Sequence, residues 1–392
     1  MKALRNYLDK IKPNFEEGGK LAMFRSVFEG FETFLFVPST TSKSGVHIHD
    51  YIDSKRTMTV VIIALLPALL FGMYNVGYQH NLAIGADPGF LMTFIFGFLA
   101  VLPKIIVSYV VGIEFAVAQV KKEEIQEGFL VSGILIPMIV PVDTPLWMIA
   151  VATAFAVVFA KEVFGGTGYN VFNVALVTRA FLFFAYPAAM SGDQVFVRTA
   201  DTFGIGGGQV VDGFSGATPL GQVAIAGKEL IGSFQAVDVL GHPISTWDMF
   251  LGLIPGSIGE TSVLAILLFT KIASWKTMVS VFVGGAVMSL IFNMIGTTVA
   301  MCVSPLDHLF LGGFAFGAVF MATDPVTSAR TETGKYIYGF LVGAMAIIIR
   351  ALNPGYPEGM MLAILLMNVF APLIDYYVVE ANINRRLKRV IK

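Results

Sequence analysis

Apolar residues run along this chain in blocks long enough to cross a bilayer, which takes about 20 residues as a helix. Polar, Gly- and Pro-rich segments separate them. The blocks predict spans near 57–77, 90–119, 128–141, 147–163 and 172–190, then near 250–275, 277–296, 307–322, 336–352 and 359–379. The third is short for a straight crossing. Its Gly- and Pro-flanked ends suggest a helix tucked inside the bundle, where protein can satisfy bare backbone. The expected fold is an all-α polytopic membrane protein of about ten transmembrane helices. It divides into an arm over 1–56, a first transmembrane repeat over 57–190, an external loop over 191–249, a second repeat over 250–380 and a basic tail over 381–392.

Basic residues test this count independently, because they concentrate on the cytoplasmic side. Nine Lys and Arg precede the first span, and Arg385, Arg386, Lys388, Arg389 and Lys392 follow the last. Both termini are therefore expected in the cytoplasm, which demands an even number of crossings. Lys121 and Lys122, and Arg330 and Lys335, then also fall inside, whereas 191–249 carries only Arg198 and Lys228 and falls outside.

The two halves echo each other. Residues 160–187 and 349–372 each have a charged span end, a Gly-rich hairpin with a Tyr, an apolar helix and a closing Ala-Tyr-Pro or Ala-Pro. Five spans per half would invert the second copy, as in transporters with two-fold pseudosymmetry in the membrane plane. Short apolar runs with Gly and Pro also look alike by chance.

Composition agrees with a lipid solvent. The chain is 56% hydrophobic and 14% charged, where a soluble domain carries about a quarter charged residues. A net charge of -1 gives no basic field for nucleic acid. The single Cys302 cannot form an intrachain disulfide or alone hold an iron–sulfur cluster or zinc, so redox work needs an organic cofactor or a partner's metal. The arm is polar, with no apolar core after its basic residues, and reads as cytoplasmic rather than as a cleaved leader.

The external loop contains Asp212-Gly-Phe-Ser-Gly-Ala-Thr218. Small residues leave the Thr218 hydroxyl sterically open, and Gly216 permits close approach of a phosphate. No paired base that would activate it as a nucleophile lies nearby in sequence. Thr218 therefore reads as an acceptor of modification; on these residues alone, a plain flexible loop is the simpler reading.

That stretch resembles the flavin-attachment motif of one family of membrane proteins, the B subunits of sodium-translocating NADH:quinone reductases and the related RnfD proteins. The likeness extends over Lys161–Gly168, Ala180–Pro187, Ile254–Glu260, Phe314–Gly317, Ala322–Val326 and Tyr356–Ile364, nearly end to end. The arm and basic tail favour the sodium pump over Rnf. The Gly-rich stretch 201–210 departs from the family as an apparent insertion. The resemblance implies FMN esterified through its phosphate to Thr218 by a flavin transferase, with Asp212, Ser215, Gly216 and Ala217 around it. It also implies a non-covalent riboflavin and a quinone site towards the cytoplasm. Asn170 and Asn173 are riboflavin candidates because amides offer both donors and acceptors, and Asp324 is a third. Asn173 could equally bond a neighbouring helix, and Asp324 could cap one.

Glu114 and Asp375 lie within apolar runs, where ionisable groups are costly. Carboxylate oxygens suit a hard cation, which makes both candidates for a sodium pathway. Glu114 could instead pair with Lys104 or Arg179, and Asp375 could simply face the interface. Lys161, Glu162, Arg179 and Arg350 are read as snorkelling at span ends. His47 and His49 lack the further ligands of a metal site. The resemblance further implies that Phe24 and Phe28 of the arm cover the quinone site, and Arg25 and Glu29 fall on one helical face there.

The resemblance implies a membrane component of a translocase in the bacterial inner membrane, assembled with five further subunits, A, C, D, E and F. Electrons would pass from a partner's flavin through FMN and riboflavin to ubiquinone or menaquinone, coupled to export of sodium. The alternatives are an RnfD-type protein and a redox-free inverted-repeat channel or carrier.

Overall fold

A computed structural model describes residues 2–16, 18–36, 44–46, 54–120, 127–166, 168–192, 195–212, 214–226, 234–268 and 273–390. The arm holds α1 (Lys2–Ile11) and α2 (Arg25–Leu35). The first half comprises α3 (Ser54–Ile84), α4 (Phe90–Val120), α5 (Glu127–Met138), α6 (Leu146–Ala156) and α7 (Val174–Ala185), ending in α8 (Pro187–Met190). The loop carries α9 (Pro219–Ile225). The second half follows with α10 (Thr246–Leu251), α11 (Val263–Leu267), α12 (Trp275–Ile295), α13 (Val299–Cys302), α14 (Pro305–Phe310), α15 (Phe314–Phe316), α16 (Glu332–Leu352) and α17 (Met360–Val390). Among the described residues, strand-like pairing is limited to two isolated bridges.

Among the described residues, six helices are long and apolar enough to span a membrane: Arg56–Ile84, Phe90–Glu114, Leu146–Phe164, Trp275–Ile295, Glu332–Leu352 and Met360–Arg389. Two shorter apolar helices, α5 and α7, lie among them. The remaining expected spans are interrupted, and here the structure corrects the hydropathy pattern. Residues 250–275 do not form one helix: α10 stops at Gly252, in the left-handed region at φ 94°, and an irregular hairpin runs to Ser262. Pro255 and the glycines around it break the ladder, and neighbours satisfy the freed backbone. Gly259 N–H donates to Met138 O at 2.7 Å, and Asn75 Nδ2 donates to Ile254 O at 3.0 Å. The span expected over 307–322 breaks at Leu311-Gly312-Gly313 between α14 and α15. Bare backbone survives in lipid only where protein covers it in this way.

The bundle has two ends. The start of α3, at Thr57 and Val61, lines a cleft at what we term the arm face. Its other end meets the loop: Val211 N–H donates to Ala83 O at 2.9 Å, and the His80 ring nitrogens lie 2.7 and 2.6 Å from Arg198 O and Gly206 O. The rise from Val61 to Ala83 is about 33 Å, close to the ~30 Å hydrocarbon thickness of a bilayer. The Gly-rich stretch 201–210 is thus docked on α3. Gly206 is required there, since a Cβ would sit 2.5 Å from His80 Nε2.

In the first half α4 packs on α6 and α6 on α7; in the second, α12 packs on α16 and α16 on α17. α4 runs from loop face to arm face, whereas α12 runs the other way, its Lys276 pairing with Glu332 at the start of α16. The same neighbours in the opposite sense make an inverted repeat. Glycines allow the close crossings. A Cβ on Gly97 would meet Met73 O at 1.7 Å, and one on Gly343 would meet Val281 O at 2.0 Å, the small-residue packing that membrane helices use.

The arm folds onto the same bundle, with α2 against α3 and α5. Phe28 is buried and stacks on Phe15 at 4.6 Å, Phe24 is exposed, and Arg25 pairs with Glu29 at 2.8 Å as the helical spacing predicts. His47, His49, Lys121, Lys122 and Lys228 lie outside the described residues.

Gly343→Val should destabilise the bundle by roughly 1–3 kcal/mol or more, the usual range for overpacking. Gly207→Ala, with open space around it, should be neutral. Thermal unfolding of the two purified variants in detergent checks this; equal midpoints would contradict the packing.

Candidate functional site

At the loop face, residues 214–218 run without regular structure into α9, with Thr218 itself extended. Phe214 anchors the segment by packing with Ala83, Val197 and Val239. Asp212 is exposed, Ser215 is half-buried, and Gly216 and Ala217 are buried, while Gly213 lies outside the described residues. Thr218 is the N-cap of α9, and its Oγ accepts from Gly221 N–H at 3.0 Å. Capping uses an oxygen lone pair and leaves the hydroxyl proton free to be replaced. Gln222 braces α9 by donating to Ala217 O and Val237 O and accepting from Val237 N–H.

Thr218 lies on the wall of a cleft of about 340 Å³, with Phe183, Met190, Phe196, Ile225, Tyr356 and Arg179 among its lining. Pockets for small molecules and cofactors commonly measure about 300–1,000 Å³, with apolar walls and a few polar groups. Phe183, Phe196 and Tyr356 give this one such walls, and Thr218 and Arg179 supply polar groups.

Arg179 was expected to snorkel. It is instead 2% exposed, in the middle of α7, and ion-pairs with Glu260 at 3.2 Å and with Glu358. It also donates to Ile139 O, at the broken end of α5, and to Ser257 Oγ at 3.2 Å. Arg350, 3% exposed, donates to Glu358 O at 2.8 Å, Leu311 O at 2.8 Å and Gly312 O at 3.1 Å, and to His308 O. Arginine suits both places because its fork of donors serves several carbonyls and carboxylates at once. Lys161 is also buried, 3.4 Å from Glu162 Oε1. Sequence reasoning missed this cluster. A lone charge within VALVTRAFLFFA or AIIIRAL was the available signal, since such a residue faces the bundle interior or a cavity.

At the arm face lies a second cleft of about 230 Å³. Asn170, Asn173 and Asp324 all line it, together with Lys161, Ser132 and Thr57. Two of the candidates touch: Asn173 Nδ2 donates to Asp324 Oδ2 at 3.1 Å across 151 residues of sequence. Asn173 also caps α7, its Oδ1 accepting from Ala175 and Leu176 N–H. Asp324 accepts from Val326 N–H and Thr327 Oγ, both at 3.0 Å. Burial pushes the Asp324 carboxyl up, and those bonds pull against it. Asn170 donates to Phe172 O at 2.9 Å. These structural roles coexist with a wall of polar groups lining the cleft. α7 links the two clefts, with Asn173 at one and Arg179 and Phe183 at the other.

The sodium candidates are not brought together. Glu114 is exposed on α4, and Arg179 pairs elsewhere. Asp375 is held by the start of α16, accepting from Arg330 N–H at 2.7 Å and from Thr331 N–H at 3.0 Å. Among the described residues no group of three or more His, Cys, Asp or Glu could hold a metal ion.

The profile of the NQR2, RnfD, RnfE family matches residues 41–384. The chain is 44% identical to the B subunit of the Na(+)-translocating NADH-quinone reductase of Pseudomonas paraeruginosa, over 98% of this chain and 99% of that one. It is 45% identical to the corresponding protein of Ectopseudomonas mendocina and 44% identical to that of Klebsiella pneumoniae, again over 98% of this chain and 99% of each relative. With an all-helical bundle of apolar spans and relatives of this similarity along its whole length, the chain belongs to the NQR2, RnfD, RnfE family.

Proposed function

We propose that this chain is the flavin-bearing membrane component of a sodium-translocating NADH:quinone reductase, carrying FMN on Thr218 and riboflavin in the arm-face cleft. The observation that carries the reading is the Thr218 hydroxyl on the wall of a cleft at one face, with Asn170, Asn173 and Asp324 lining a second cleft at the other. The names of the relatives support the sodium pump over an RnfD-type protein.

The basic arm and tail assign the arm face to the cytoplasm, so the Thr218 cleft faces the periplasm and the membrane is a bacterial inner membrane. When bound, the two flavins supply the electron-carrying chemistry; the protein holds them and sets their surroundings. The Thr218 ester anchors one flavin without demanding that the cleft bind it tightly. Asn170, Asn173 and Asp324 orient the second, and α7 fixes the spacing between the clefts. A partner within the six-subunit complex delivers electrons at the periplasmic face, and ubiquinone or menaquinone takes them at the cytoplasmic face, beneath the arm. Sodium moves outward between the inverted halves. Glu114 and Asp375 are the carboxylates proposed to meet it, Asp375 doing so while it braces the segment that leads into α16.

Two measurements test this. The denatured chain from the native complex should fluoresce under ultraviolet light on a gel, and Thr218→Ala should be dark. A dark wild-type band, or a fluorescent variant, removes Thr218 as the acceptor. Asp324→Ala should lose most of the flavin released on denaturation while keeping the fluorescent band. Unchanged released flavin, measured by chromatography, would take riboflavin out of the arm-face cleft.

A further inference from the structure

The loop-face cleft has a feature that anchoring does not require: its lining includes members of a buried charge cluster. Arg179 and Glu358 both line the cleft that contains Thr218, and they pair with each other. Arg179 also holds Glu260, which lines a smaller cavity on the other side of Thr218. Tyr356 also lines the cleft, and its ring meets Phe183 edge-on at 4.3 Å. Arg179 is 2% exposed, and among the described residues its buried Nε–H finds no acceptor.

From this cluster we infer that the loop-face cleft is the seat of the ring of the Thr218-linked flavin, and that the Arg179–Glu358 pair sets its reduction potential. The inference rests on Thr218 being the attachment point and goes further by naming the residues that tune the group. Its basis is electrostatic. Taking up two electrons and one proton converts the neutral oxidised ring into a monoanion. In a lipid-embedded protein a charge on the cleft wall acts through a low dielectric, so it weighs more than it would in water. A guanidinium on the wall favours the reduced ring, and the adjacent carboxylate opposes it. Glu358 is therefore the restraining half of the pair. Its ion pair with Arg179 keeps the guanidinium from being a bare cation beside the ring. Arg179 and Glu358 act here as positioning residues, and apolar walls from Phe183, Met190 and Phe196 exclude the water that would screen them.

The test is a spectroelectrochemical titration of the covalent flavin in the intact complex. Glu358→Gln keeps the shape and removes the negative charge. It should favour the reduced ring at a fixed ambient potential by tenfold or more, which for a two-electron couple is a rise of about 30 mV. Because Glu358 lies in a buried network, a second pair of variants avoids it. Ser191 lines the same cleft and is exposed. Ser191→Lys should raise the potential and Ser191→Asp should lower it, opposite signs that general destabilisation does not produce. A retained fluorescent band with the wild-type potential in Glu358→Gln and both Ser191 variants would overturn the inference and leave the Thr218 tether standing. A dark wild-type band would remove the tether itself, and the inference with it. If Glu358→Gln fails to assemble, the Ser191 pair decides alone.

Discussion

Two guanidinium groups hold backbone that hydrocarbon would otherwise leave bare. α5 ends partway through the bundle, and the pass containing α14 and α15 is cut at Gly312 and Gly313. Carbonyls at those breaks fall outside the regular helical ladder, and lipid offers no partner of its own. Arg179 supplies a donor at Ile139 O, and Arg350 supplies donors at His308, Leu311 and Gly312. Each guanidinium brings its own charge into the interior, where an unpaired ion costs several kcal/mol. Glu260 and Glu358 answer that charge. The broken passes and the ion cluster are therefore one construction.

The clefts follow from the same constraint. A continuous helix fills the core along its length, whereas a helix that stops leaves room beyond its end. α5 and α7 are both twelve residues long, about 18 Å each and well short of the hydrocarbon thickness. Their starts line the arm-face cleft, while Arg179 and Phe183 of α7 line the loop-face cleft. Along α7 the protein layer between the clefts is only about 9 Å, the rise from Asn173 to Arg179. The glycine crossings between α3 and α4 and between α12 and α16 keep the surrounding long helices close enough to support that thin region.

Much of the fold was legible along the chain. Long apolar runs marked the six continuous spans, and the short run over 128–141 pointed to a helix tucked inside. The echo of 160–187 in 349–372 anticipated two halves of opposite sense. The expected helix over 250–275 failed because hydropathy averages over residues and does not register where the backbone ladder is cut. Pro255, Gly252 and Gly259 sat in view, but their effect depends on Met138 O and Asn75 being present to receive the freed groups. The arginines were misread for a related reason. Near a span end a long cationic side chain usually reaches for water, and only the packed bundle reveals carbonyls and carboxylates closer at hand.

By itself the sequence determined the all-helical membrane class, the long apolar spans and the clustering of basic residues at the two ends of the chain. Those properties are sums or spacings over neighbouring residues, so no folded partner is needed to read them. Tertiary structure decided which passes break, where Arg179 and Arg350 go, and that Asn173 meets Asp324 in one cleft. Each of those outcomes joins segments far apart along the chain, and a contact of that kind exists only once the helices have packed.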